Sequence, residues 1–430
     1  MFAAKLIKEV LLVTALILSA SSKNNKPMKT IFNSRSIESK GVEDSPPPAP
    51  HNVLHMNLNG DVRRYMFNHV VTGSNKNIVC SPYIAIIPLA ELLMGSSSRN
   101  YEELKNAIGC RRSKVIKTMY DLKRELEGAK DNVQLIISST IFVSVKYTMY
   151  PLFFEHVMAI SGAGYRTIHF NNTEEATEII NQWVSQQTQK EINGLVDLNK
   201  IIYPTTSLFI TNALYFHGFW EHPVDSINQD IFKAPGQDIV MDMMTFKSSF
   251  LYGTSRIYGV KIIAMPYSGY KMTFVIILPL GNNNDILEDI MKTTLKNPDV
   301  WNKMWASVDK TQLRLTIPRF NVTTQLDLNK IYKKIGLKEI FDENNNILTK
   351  VVHNDRVHVT NSVHAAKIVV DEKAIKTDNQ DPHVHFGYND VKVDHPFLFF
   401  VMHNSEQILA GLFNGLPLNN ADEYSGGTIQ

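Results

Sequence analysis

Between Tyr83 and Met94 apolar residues recur at helical spacing, directly behind Ser81-Pro82. A serine there can cap the first turn, and a proline in that turn lacks only an N–H that has no partner anyway. A second helix is predicted from Thr173, with Glu174 and Glu175 complementing the positive end of its dipole and Ala176, Ile179, Ile180, Trp183 and Val184 forming one apolar stripe. Both stripes read as core faces. Three other stretches are apolar almost throughout and rich in aromatic and β-branched residues: "TTSLFITNALYFHGFW" (205–220), "MTFVIILPL" (272–280) and "HPFLFFVMH" (395–403). Such runs predict strands covered on both faces, whereas the alternation of "LRLTIPRF" (313–320) predicts one with a single covered face. Helices and strands follow each other in no repeating order, so the predicted class is α+β, large sheets with helices packed around them.

The ends of the chain read differently. Lys5 and Lys8 precede an apolar run from Val10 to Leu18, and the small residues Ser19 to Ser22 follow, the order of a secretory signal over residues 1–22. The run is about half the ~20 residues that a membrane span needs. Residues 23–55 are rich in Asn, Ser, Lys and Pro and end in Pro46-Pro47-Pro48-Ala49-Pro50, too polar to pack and unable to continue a helix or a ladder. A flexible tail is expected there and another over 421–430, with one domain over 56–420 between them.

Composition narrows the function. The 430 residues are 44% apolar and 20% charged with a net charge of +2, which suits a large core and gives no reason to expect nucleic acid. Two cysteines, Cys80 and Cys110, are too few for a disulfide scaffold, and Cys80 in its apolar run reads as a buried thiol. Export makes the acceptors Asn171 and Asn321, each two residues before a threonine, available to glycans. No Gly-x-Ser-x-Gly elbow, dinucleotide fingerprint or His-Glu-x-x-His motif supports an enzyme, and His383 with His385 lacks further metal ligands nearby. No cofactor, metal or membrane partner is expected, and the chain is expected to be a monomer. Arg111, Arg112, Lys114, Lys117 and Arg124 line a predicted helix that a sulphated glycan would fit, although Asp121, Glu125 and Glu127 dilute its charge.

Over residues 56–418 the stretches "NIVCSPYIAIIPLAELLMGS", "LFITNALYFHGFWEHPV", "MPYSGYKMTFVIILP", "LNKIYKKIGLKEIFDE", "NSVHAAKIVVDEK" and "DHPFLFFVMHNSEQILAGLFNGLP" resemble the serpins, many motifs in the right order. The resemblance implies three β-sheets with about nine helices and an exposed reactive loop near the C-terminus. In inhibitory members a protease cleaves this loop, stays bound as an acyl-enzyme, and is dragged and deformed as the loop inserts as a new central strand. The resemblance puts Trp220 at the top of the sheet where insertion begins, and Ser81, Asn212 and His364 in a hydrogen-bonded cluster beneath its centre. Ile84 stands where the family usually has serine.

The same resemblance makes Glu372, Lys373, Ala374, Ile375, Lys376 and Thr377 the hinge of the loop. Inhibitory members carry glycine, a small hydroxyl residue, glutamate and a run of alanines here; this chain continues with Asp378, Asn379, Gln380, Asp381 and Pro382. Counting from Glu372 places the scissile bond after Tyr388, and counting back from Asp394 places it after His385, so the loop is three residues short and His385, Phe386, Gly387 and Tyr388 bracket the site. A central strand is covered on both faces, so unpaired Asn379 and Asp381 on one side, or Lys376 and Asp378 on the other, oppose insertion, and Pro382 removes a ladder donor. A secreted, non-inhibitory binder, carrier or chaperone is therefore expected, with a small apolar ligand or another secreted protein as partner. The alternative is an inhibitor of an extracellular serine protease with a chymotrypsin-like pocket, suited by Phe386 or Tyr388.

Overall fold

The computed structural model describes residues 60–415, except 129–131, 196–197, 282–284, 298, 345–347, 354–355, 375–386 and 405. The expected signal and N-terminal tail, residues 421–430, Ile375, Lys376 and Thr377 of the expected hinge, and His383, His385 and Phe386 lie outside these. Among the described residues nine α-helices run α1 (Asp61–Val71), α2 (Pro82–Gly95), α3 (Ser98–Ile108), α4 (Arg112–Gly128), α5 (Pro151–Ser161), α6 (Thr173–Gln187), α7 (Asp285–Lys296), α8 (Asp299–Trp305) and α9 (Leu328–Lys334). Local chemistry sets their ends. The Ser81 hydroxyl accepts the Ile84 N–H at the start of α2, Asn172 caps α6 by accepting the Glu175 N–H, and Gly109 ends α3 in the left-handed conformation that glycine adopts without strain. Of the α6 stripe, Ala176, Ile180, Trp183 and Val184 are buried while Ile179 lies at its exposed margin.

Among the described residues the strands form two hydrogen-bonded sheets. One has five strands in the order β10 (Phe320–Asp327), β11 (Val359–Val370), β4 (Leu208–Gly218), β2 (Val133–Ser144) and β3 (Arg166–Ile168). The other joins β1 (Ile78–Cys80), β14 (Glu406–Phe413), β13 (Phe397–His403), β8 (Met272–Pro279), β7 (Val260–Pro266), β6 (Gln237–Ser255), β9 (Val308–Pro318) and β12 (Asn389–Lys392), with β5 (Ser226–Ala234) paired to β6. What the resemblance gives as two further sheets is joined here by β6, whose 19 residues pair with β5 at one end and β7 at the other while β9 runs along its middle. The alternating segment 313–320 is not one strand: it breaks at Arg319, so that β9 and β10 belong to different sheets. The continuous apolar runs became β4, β8 and β13, buried at every position or all but one.

Both faces of the five-stranded sheet are covered. Phe209, Ala213, Val363 and Ala365 pack with Ala176, Ile180 and Trp183 of α6, while Ile210, Leu214, Phe216, Ala366 and Ile368 on the opposite face belong to the main core. No helix of the described residues is long and apolar enough to cross a membrane. Cys80 and Cys110 are both buried free thiols.

Candidate functional site

β4 and β11 are direct parallel neighbours from Leu208 opposite Val359 to His217 opposite Val369, so the seam between them is closed along its length. Side chains stitch it on both faces. On the core face the Ser81 N–H donates to His364 Nε2 (3.0 Å), which leaves the proton on Nδ1 to donate to Asn212 Oδ1 directly across the seam. Burial holds His364 down to about 3, so the ring is neutral. The Ser81 hydroxyl donates to the Ile408 carbonyl at 2.6 Å. The chain therefore brings Ser81, Asn212 and His364 together as the resemblance implied, but the network stops there: Asn212 Nδ2 is buried without a partner among the described residues, and Ile84 offers no hydroxyl.

The upper end of the seam is built around Trp220, 1% exposed. Its ring stacks on Tyr267 at 4.7 Å, an approach that requires Gly218, since a Cβ there would lie 2.2 Å from the Tyr267 ring. The Trp220 indole N–H donates to the Asp371 carbonyl (2.7 Å) and its backbone N–H to the Lys373 carbonyl (2.9 Å), and Ala374 forms a parallel bridge with Trp220. The His217 Nε2–H donates to the Asp371 carboxylate at 2.9 Å. Burial alone pushes that carboxyl up, but the hydrogen bonds from His217 and from the Lys373 N–H outweigh it and hold it below the usual range. Arg319 pairs with Glu372 at 2.8 Å. Glu372, Lys373 and Ala374 are thus fastened at the rim of the sheet, immediately before the residues outside the described set. Gly387 and Tyr388, where the described residues resume, lead into β12, where Arg314 of β9 pairs with Asp390 at 3.4 Å.

Sequence reasoning missed His217, Tyr267, Asp371 as a side-chain ligand, and Arg319. The one legible signal was a histidine inside the mostly apolar run of β4; the others depend on strand order, which no local pattern encodes.

The other sites fall at the surface. Asn171 is exposed just before the cap of α6, and Asn321 is exposed on β10, an edge strand. Arg111, just before α4, and Lys114, Lys117 and Arg124 on it are exposed, with Arg124 3.8 Å from Asp121. Arg112 departs from the expected basic surface. Its guanidinium turns inward to the Leu93 carbonyl (2.9 Å) and to the carbonyl and hydroxyl of Ser96, and it lies 4.8 Å from the Tyr101 ring, because the open carbonyls at the end of α2 need donors. No three His, Cys, Asp or Glu side chains among the described residues group as a metal site.

The family model described as Serpin (serine protease inhibitor) matches residues 58–416. Antichymotrypsin-2 of Bombyx mori is 25% identical over 375 residues, 84% of this chain and 98% of that protein. Glia-derived nexin of Mus musculus is 25% identical over 349 residues, 79% of this chain and 87% of its own length. Among solved structures, native protease nexin-1 with heparin aligns with a TM-score of 0.76 at 23% identity, covering 85% of this chain and 100% of that one. Uncleaved ovalbumin aligns at 0.74 and 18% identity, covering 84% and 99%. With the closed five-stranded sheet, Glu372 to Ala374 fastened at its rim and a family match that spans nearly every described element, the chain belongs to the serpin family.

Proposed function

We propose that this is an extracellular serpin that does not trap proteases by loop insertion and acts instead as a binder, carrier or chaperone. The observation that carries the proposal is the mismatch between loop and seam. Side chains on both faces of β4 and β11 are buried, including Ala213, Ala365 and Ala366. Whichever alternate set of loop residues faces the core, the other meets the layer under α6, so insertion buries Asn379 and Asp381 against one and Lys376 and Asp378 against the other. Each unpaired polar group costs on the order of 1–3 kcal/mol and an unpaired charge more. Pro382 then interrupts the ladder.

Cleavage of the loop by a non-target protease tests this. The nicked protein is expected to melt within a few degrees of the intact one; a rise of tens of degrees would show that the loop enters the sheet and would overturn the proposal.

The names of the relatives favour a second reading, serine protease inhibition, since Antichymotrypsin-2 and Antitrypsin of Bombyx mori are among them. Phe386 or Tyr388 would then fill a chymotrypsin-like pocket, and a complex with chymotrypsin that survives denaturing electrophoresis is its direct sign. Secretion rests on the signal pattern of residues 1–22, and glycans at Asn171 and Asn321 follow from it. Protease nexin-1 was solved with heparin, which supports a polyanion role for Arg111, Lys114, Lys117 and Arg124 that salt-dependent retention on immobilised heparin would test.

A further inference from the structure

The face of the seam beneath α6 carries a contact that joins three elements. Lys367 of β11 lies directly opposite Tyr215 of β4 in the parallel register, and its ammonium sits 5.5 Å from the centroid of the Tyr215 ring. The same ammonium donates to the Glu191 backbone carbonyl at 2.9 Å and to its carboxylate at 3.1 Å. Glu191 belongs to the segment that returns from α6 across the sheet. That segment is pinned at both ends: the Thr188 hydroxyl donates to the Val184 carbonyl and accepts the Ile192 N–H, and the Leu195 N–H donates to Asn181 of α6. Just before Glu191, Gln189 and Lys190 take φ values of 54° and 66° in succession. Left-handed backbone is disfavoured for such residues, and two in a row persist only where the surroundings impose them. Here the two strained residues deliver Glu191 to Lys367.

We infer that Lys367, held over Tyr215 and by Glu191, is a latch that ties β11, β4 and the return segment of α6 together and sets how readily the β4–β11 seam opens. Parting the strands to admit another raises their separation from about 4.8 Å to about 9.6 Å, which takes Lys367 beyond the ~6 Å reach of the Tyr215 ring. Because Glu191 is anchored to α6, the ammonium cannot follow one strand without leaving another partner. His217 with Asp371 lies farther along on the same face and Asn212 with His364 on the other, so the latch sits midway along a seam already stitched at its rim and beneath its centre. The inference rests on the seam being the place where a strand is admitted, as the proposed function assumes. It does not depend on whether this chain's own loop is able to enter.

Native-state hydrogen exchange on the intact, uncleaved protein tests it, read over 208–218 and 359–370 with β13 and β14 as the internal control. Lys367→Met keeps the apolar stem and removes the charge, and is expected to speed exchange across the seam about fivefold while leaving β13 and β14 unchanged, a ratio in keeping with one partly exposed cation–ring contact and its ion pair. Glu191→Gln, farther from the core, is expected to move the seam in the same direction, and Lys367→Arg to restore the wild-type rate. Wild-type exchange in Lys367→Met, or an equal rise over β13 and β14, overturns the latch. Melting of the nicked protein, by contrast, reports only on the loop, so failure of one proposal is distinguishable from failure of the other.

Discussion

Two buried ionisable residues give this chain opposite responses to pH. His364 is fully buried and neutral, its value depressed to about 3 from an ordinary 6.5. The unfolded chain therefore binds more protons than the folded one between those values, and stability falls as pH drops from 6.5 toward 3. Glu91 on α2 is the reverse. Neither of its oxygens has a hydrogen-bond partner among the described residues, and burial pushes it up to about 8, a rise that the nearby Ser161 hydroxyl only trims. Here the folded chain holds the extra proton, so stability falls as pH rises from about 4.5 to about 8. Between 4.5 and 6.5 the two slopes oppose each other, and on either side one acts without the other, each amounting to a few kcal/mol in order of magnitude. Glu91→Gln is expected to flatten the alkaline fall in urea midpoints measured from pH 5 to 9, whatever it does to the absolute level. His364→Gln, measured from pH 3 upward, is expected to flatten the acid fall, to leave the alkaline one unchanged above 6.5 and to extend it down to about 4.5. Unchanged slopes in either variant would show that the group titrates elsewhere than its burial implies.

At the scale of elements, what could be read from the sequence was whatever local chemistry determines. Ser81-Pro82 announced α2, and the helix runs through Pro88 because its apolar face is buried along its whole length. The acidic first turn announced α6, whose cap is the preceding Asn172. Asn172→Ala is expected to cost about 1 kcal/mol in a denaturant titration. Asn171→Gln should cost nothing measurable there, yet should reduce the mobility shift on glycosidase treatment by one glycan, leaving that of Asn321. The two substitutions separate cap from acceptor because Asn172→Ala leaves Asn171 two residues before Thr173. What stayed illegible depends on strands brought together from far along the chain. Nothing around Arg112 distinguishes it from its exposed basic neighbours until α2 ends beneath it. Nothing around Lys367 points to Glu191, 176 residues away, or to Tyr215, until β4 and β11 are known to be neighbours.

For the whole molecule the question is whether the closed sheet gains by admitting a strand. Inserting one exchanges a single parallel ladder, β4 with β11, for two ladders on either side of the newcomer, so backbone pairing favours insertion. The obstacle must then lie in the side chains of the newcomer or in the stitching of the seam, and the two are separable. A variant carrying Lys376→Ala, Asp378→Ala, Asn379→Ala, Gln380→Ala, Asp381→Ala and Pro382→Ala removes the buried polar cost and restores the missing ladder donor while leaving the seam untouched. If the loop is what prevents insertion, nicking this variant should raise its melting temperature by tens of degrees where nicking the wild type does not. If the variant also fails to respond, the stitching is the barrier, and adding Lys367→Met to the six alanines should then release it. A wild-type chain that gains heat resistance on nicking, before any substitution, would mean that the sheet tolerates charge and proline in its middle, and inhibition would become the function to pursue.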